Sequence, residues 1–162
     1  MIQRSAMIPR PGAMALEAAV VYPVMLVVVL GLIVGGMGVF RYQQVACHAR
    51  EASRWAAVRG SDYQKETGNN SPTQDEIFQQ AVVPMLSGMD QKSVTCQVFW
   101  IDQDSGTVTA WDKASKDPQT LTKSGDYVTN TVRVTITYQF SPQIFLLESL
   151  QMTSTSEFPM TY

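Results

Sequence analysis

Hydrophobic residues fill positions 18–40 without a single charge, and the pattern then changes three times before the chain ends. The first run exceeds the roughly 20 residues needed to span a bilayer, so it predicts a membrane-crossing helix. Pro23 inside it removes a backbone hydrogen bond, which predicts a kink or local melting unless neighbouring helices absorb the change. From 41 to 59 the helical period persists but becomes one-sided, with Tyr42, Val45, Ala49, Ala52 and Ala56 near one face. Gly60 is placed to cap its C-terminus. A helix continuous from 14 to 59 would be roughly 70 Å long at 1.5 Å per residue, long enough to cross a membrane and project a stem.

Residues 61–70 are polar and rich in turn formers, which predicts a surface loop. Ser71 is then placed as an N-cap, with Pro72 at the first helical position and Gln74 closing a capping box. Ile77, Phe78, Ala81, Val82 and Met85 form the buried side of a short helix that Pro84 shortens and Gly88 ends. Beyond it the period falls to two. Val94, Cys96, Val98 and Trp100 alternate with Thr95, Gln97 and Phe99; a turn at Asp104, Ser105 and Gly106 leads into a second run over 107–111. The clearest strand covers 131–140, with Val132, Val134, Ile136, Tyr138 and Phe140 on the core face and Arg133, Thr135 and Thr137 outside. A last strand over 151–158 is expected to pair with it. Such alternation means one wet and one dry face, and the stem helix is the element available to cover the dry one. The fold class is therefore α+β: a long N-terminal transmembrane and stalk helix packed on a small antiparallel β-sheet domain. Ile144, Phe145, Leu146 and Leu147, beside Pro142, are either core or a sticky contact patch.

Composition narrows the picture. A length of 162 residues allows one domain plus an anchor, and a net charge of −2 gives no electrostatic case for nucleic acid. A cleavable secretory signal has a shorter apolar core of about 7 to 15 residues, so the apolar helix is expected to stay as an anchor in membrane lipid. Gly31 and Gly35 form a small-residue pair, with Gly36 and Gly38 near, that would let another helix approach closely. Catalytic chemistry is sparse. His48, the one histidine, sits beside Cys47 in the stem without the spacing of a metal site or a nucleophile and base pair, and is read as a helix-face residue. No metal, cofactor or enzyme activity is expected. Asp102, Asp104 and Gly106 read as a β-turn, since the distal Glu of a calcium loop is missing. Cys47 and Cys96 both fall in the part expected outside the cytoplasm, where a disulfide between them or two free thiols are both open.

One carboxylate stands at the mouth of the apolar run. Glu17 costs roughly 2.5 to 3.5 kcal/mol if ionised at a bilayer centre, and less near the interface, so it is expected to have a function. Gly12 lies five residues earlier, after Arg10 and Pro11. Cleavage after Gly12 would free an amino group on Ala13, one helical turn before Glu17. Charges of opposite sign in lipid each need a partner, and in staggered helices Glu17 of one copy would neutralise Ala13 of the next.

That order, with Pro23 early in the apolar run and the continuation Ala49, Arg50, Glu51, Ala52, Arg54 and Ala56, resembles the TadE-like minor pseudopilins of the tight adherence (Flp-type, type IV) pilus and secretion systems. The resemblance covers residues 10–60, about a third of the chain. It departs at Ala18, where pilins of this kind commonly carry an aromatic residue. The resemblance implies a leader over 1–12 with Gly12 and Ala13 as processing site, a membrane and stalk helix over 13–60, and an extracytoplasmic domain over 61–162. It also implies Glu17 as an assembly charge and partners among other pilins, the prepilin peptidase and the inner-membrane assembly platform. The N-terminus would be cytoplasmic, although Arg4 and Arg10 before the span are outnumbered by Arg41, Arg50, Arg54 and Arg59 after it. Two alternatives remain: an uncleaved single-span envelope protein whose β domain binds protein or cell wall, and a filament-borne adhesin with Trp111 and threonine faces as ligand surface.

Overall fold

The computed structural model describes residues 11–141 and 149–161. A single helix, α1 (Pro11–Ala57), continues through Pro23 without interruption. The chain divides into two compact units at Gly38 and Val39, so α1 contributes residues to both.

In the first unit the described residues are helix alone. Leu16, Val20, Tyr22, Val27 and Leu32 are each more than 60% exposed. Nothing lies within 4 Å of where a Cβ would stand on Gly31, Gly35 or Gly36.

The second unit is built on a four-stranded antiparallel sheet of order β2-β1-β5-β6, from β1 (Val94–Ile101), β2 (Val108–Ala110), β5 (Thr131–Phe140) and β6 (Leu150–Pro159). The expected two-residue alternation holds in β5, where Val132, Val134, Ile136, Tyr138 and Phe140 are buried. Its register sets Ile136 between Cys96 and Ser154, and Val134 between Val98 and Ser156. The pairing of β6 with β5 is as expected. A separate hairpin joins β3 (Gln119–Leu121) to β4 (Tyr127–Thr129). The turn at Asp102 closes by Gly106 N–H donating to the Asp102 carbonyl at 2.8 Å, with Gly106 at φ +68, a conformation glycine adopts without steric cost.

Residues 39–57 of α1 pack on the dry face. Val45, Ala49, Ala52, Ala56 and Ala57 are fully buried in one cluster with Val98, Val132, Val134 and Ile136. Tyr42 is 51% exposed and leaves the expected face. Arg41 spans from α1 to donate to the Ser87 carbonyl at 2.9 Å.

The connection from helix to sheet departs from expectation. α1 ends at Ala57, and Gly60 precedes a second helix, α2 (Ser61–Thr67), as its N-cap. Residues 61–67 are thus helical instead of a loop; none is buried, so no apolar period marked them. The capping box lies two residues later than expected. Thr73 accepts from the Glu76 N–H, while the Glu76 carboxylate accepts from the Thr73 N–H, opening α3 (Gln74–Ile77). Ser71 instead donates to the Gly60 carbonyl. A π-turn over Phe78–Val82 and a 3-10 turn over Val83–Met85 follow, so Pro84 falls where the helix has already loosened. Ile77, Ala81 and Val82 are buried, and Met85 is half-buried. The residues 144–147 lie outside the described part of the chain.

Candidate functional site

Gly12 and Ala13 lie in the first turn of α1, directly after Pro11. Pro at this position loses nothing, because the first helical N–H groups have no partner inside the helix. Ala13 and Glu17 are four residues apart, hence neighbours on one face. Glu17 is exposed, and so are the apolar residues that follow it on every side of the helix. An apolar stripe facing a core would be confined to one side of a helix. Here Val20, Val21, Tyr22, Val24, Met25 and Leu26 cover consecutive directions and all remain uncovered within the chain. α1 is long and apolar enough to cross a membrane, consistent with a single-pass anchor.

The segment 49–56 has a different logic. Ala49, Ala52 and Ala56 are fully buried, whereas Arg50, Glu51 and Arg54 are exposed. Small side chains at spacings of three and four let the helix backbone approach the sheet. The hydroxyls of Ser53 and Ser156 share a hydrogen bond of 3.0 Å across that contact, and the Thr161 N–H donates to the Ala57 carbonyl at 3.0 Å. The charges then line the open side, forming with Cys47, Ser156, Glu157 and Phe158 a shallow groove along β6. Arg50 and Arg54 are solvated as expected, but Arg59 is half-buried, its guanidinium 3.9 Å from the Trp55 ring centroid.

His48 stands on the face of α1 that is turned to the core. It is 5% exposed, and among the described residues neither ring nitrogen has a hydrogen-bond partner. Burial lowers its pKa below the ordinary 6.5, because the charged imidazolium loses its hydration.

Cys47 and Cys96 stand as free thiols in this structure, Cys47 exposed and Cys96 half-buried. Cys47 lies in the groove beside β6, whereas Cys96 is on β1, with β5 between β1 and β6. Strands are about 4.8 Å apart, and a disulfide needs Cα atoms within roughly 7 Å. Burial pushes the Cys96 thiol up to about 12.

Trp111 is fully buried and donates its Nε1–H to the Pro72 carbonyl at 2.7 Å. It is a packing residue and offers no ligand surface. Among the described residues no group of three or more His, Cys, Asp or Glu side chains gathers to hold a metal.

Sequence reasoning also passed over Asn130, which is fully buried. Its side-chain N–H donates to the Asp117 carbonyl at 2.9 Å, its Oδ1 accepts from the Gln103 N–H at 3.2 Å, and its carbonyl accepts from the Met160 N–H at 2.9 Å. A buried amide needs all such partners. A polar residue breaking two apolar alternations, between Tyr127–Thr129 and Thr131–Phe140, was the available signal.

Comparison with curated proteins and with solved structures returns no match. The family model described as TadE-like protein matches residues 12–54, from the glycine at the head of α1 to the last arginine of the groove. Both the uncovered apolar half of α1 and its alanine-buried, arginine-exposed half fall inside that match. Over residues 12–54 of its N-terminal helix this chain is similar to TadE-like proteins, a likeness consistent with an association with the Tad pilus.

Proposed function

We propose that this chain is a minor pseudopilin, a structural subunit that helps assemble a Flp-type (Tad) pilus or a related secretion filament. The observation that carries the reading is the inner half of α1, apolar in every direction and charged only at Glu17, one turn after Ala13. A prepilin peptidase cuts between Gly12 and Ala13, in a first helical turn that frays more readily than the helix interior. Residues 18–40 hold the chain in the inner membrane, N-terminus cytoplasmic and domain outside. On assembly the same surface passes from lipid to neighbouring pilin helices, where Gly31 and Gly35 permit close approach. Glu17 then meets the new amino group of an adjacent subunit, since neither charge is tolerated alone in an apolar medium. Other pilins, the peptidase, membrane lipid and the inner-membrane assembly platform are the partners of this scheme, and the role is structural.

Intact-mass analysis of the membrane-extracted protein, with and without co-expressed prepilin peptidase, tests it. Loss of residues 1–12 only with the peptidase, blocked by Gly12→Ala, is the expected result. Glu17→Ala should be processed but fail to enter a filament. A full-length chain under all conditions sinks the pseudopilin reading. It would favour the second reading, a permanently anchored single-span envelope protein, for which Ala18 directly after Glu17 is the specific observation.

A further inference from the structure

Both edges of the four-stranded sheet are open among the described residues: no strand pairs with the outer side of β2 or of β6. β6 presents ten residues with Glu157 as its one charge, and that carboxylate is already paired with Arg133. Natural edge strands are normally blunted by charge, proline or cover, because an unpaired ladder recruits another strand. Here only the far end carries such protection, at Pro159.

Two features say what fits this edge. First, β2 runs antiparallel to β1, β1 to β5, and β5 to β6. The two edges therefore run in opposite directions. A second copy placed beside the first in the same orientation brings its β2 antiparallel to β6, with neither molecule reversed. Second, the flanks of the two edges have opposite charge. Beside β6 stand exposed Arg50, Arg54 and Glu51, and Glu157, which lines the same groove, is already neutralised by Arg133. Beside β2 stand exposed Asp104, Asp112 and Lys113, two acids and one base against two bases and one acid. Asp112 also accepts from the Gln74 N–H, which holds it next to β2.

We infer that copies of this chain join head to tail, the free edge of β6 in one accepting β2 of the next, with Arg50 and Arg54 facing the acidic flank of β2. Strand addition supplies main-chain hydrogen bonds and the charges select register and partner. The operation is heterologous, the kind of contact that builds an open filament when its rotation does not close; the inference rests on the pseudopilin reading above. A two-fold pairing of β6 with β6 would leave the acidic flank of β2 unused.

Cysteine crosslinking in full-length protein tests this in membranes that also hold the peptidase. Ala110 on β2 and Thr155 on β6 lie on the same face of the sheet, since Ala110 opposes Phe99, Phe99 opposes Arg133, and Arg133 opposes Glu157, two residues from Thr155. In a Cys47→Ser background, the double variant Ala110→Cys with Thr155→Cys should give a ladder of dimers, trimers and larger species on mild oxidation, and each single variant should stay monomeric. Arg50→Glu with Arg54→Glu should reduce the ladder at least tenfold, and adding Asp104→Arg with Asp112→Arg should restore it. Dimers from Thr155→Cys alone, or a monomeric double variant, overturn the inference. Intact mass measured on the same membranes separates this from the earlier reading: monomers with Gly12-dependent cleavage leave the pseudopilin standing without the sheet contact.

Discussion

The two halves of α1 are continuous in backbone and opposite in surroundings. Over residues 14–38 the apolar side chains are uncovered; over 39–57 alanines and a valine are fully buried against a sheet. Sequence hydrophobicity is greater in the first half, yet it is the second, poorer half that has a core. Burial depends on a complementary partner surface, and a helix apolar all round needs an apolar medium or other helices to supply one. The alanine half carries its partner in the same chain.

The contrast can be broken by bulk. Ala52→Phe inserts a ring where the helix touches the sheet, and overpacking of this kind costs about 1–3 kcal/mol or more. Ala19→Phe adds the same ring to the exposed half and should leave the unfolding of the domain unchanged. Chemical denaturation in detergent compares them, and equal losses would mean that the two halves do not differ as described.

A smaller effect comes from pH. The unfolded His48 imidazole protonates near 6.5, while burial holds the folded value lower. Between those values the unfolded chain binds more protons, so domain stability falls as pH drops through about 6.5 and levels off below the folded pKa. His48→Phe removes two ring nitrogens that lack partners among the described residues. The variant should be more stable by about 1–3 kcal/mol, the range for relieving an unsatisfied buried group, and its stability should not vary between pH 7 and 5 through this site. An unchanged pH slope would show that other groups govern it.

The least effect on stability, and the sharpest on reactivity, concerns the thiols. At pH 8 exposed Cys47 should react with a maleimide far faster than Cys96, whose thiol is half-buried and pushed up to about 12. Equal rates in the folded protein would contradict the burial of β1. Slow reaction at Cys47 in membranes, with fast reaction after detergent extraction, would place a neighbour in the groove.

Legibility followed periodicity. The strands β1, β5 and β6 were readable because alternate residues meet different media, and that difference is written locally in residue type. α2 was invisible for the same reason, since a helix with no buried residue has no period to read. Thr73 and Ser71 are both good caps, and only the bonds formed by Glu76 select Thr73. Tyr42 and Val45 share a helical face by spacing, but the sheet covers Val45 and leaves Tyr42 exposed.

By itself the sequence determined an uncharged run able to cross a bilayer, a carboxylate one turn beyond a candidate processing bond, and a β domain with one dry face. These are one-dimensional patterns, settled by neighbours three to five residues apart. Tertiary structure decided which side of α1 meets the sheet, that His48 and Asn130 are buried, and that β5 separates the strands beside which the two cysteines lie. Those outcomes depend on groups distant in the chain, whose spacing along it carries no distance in space.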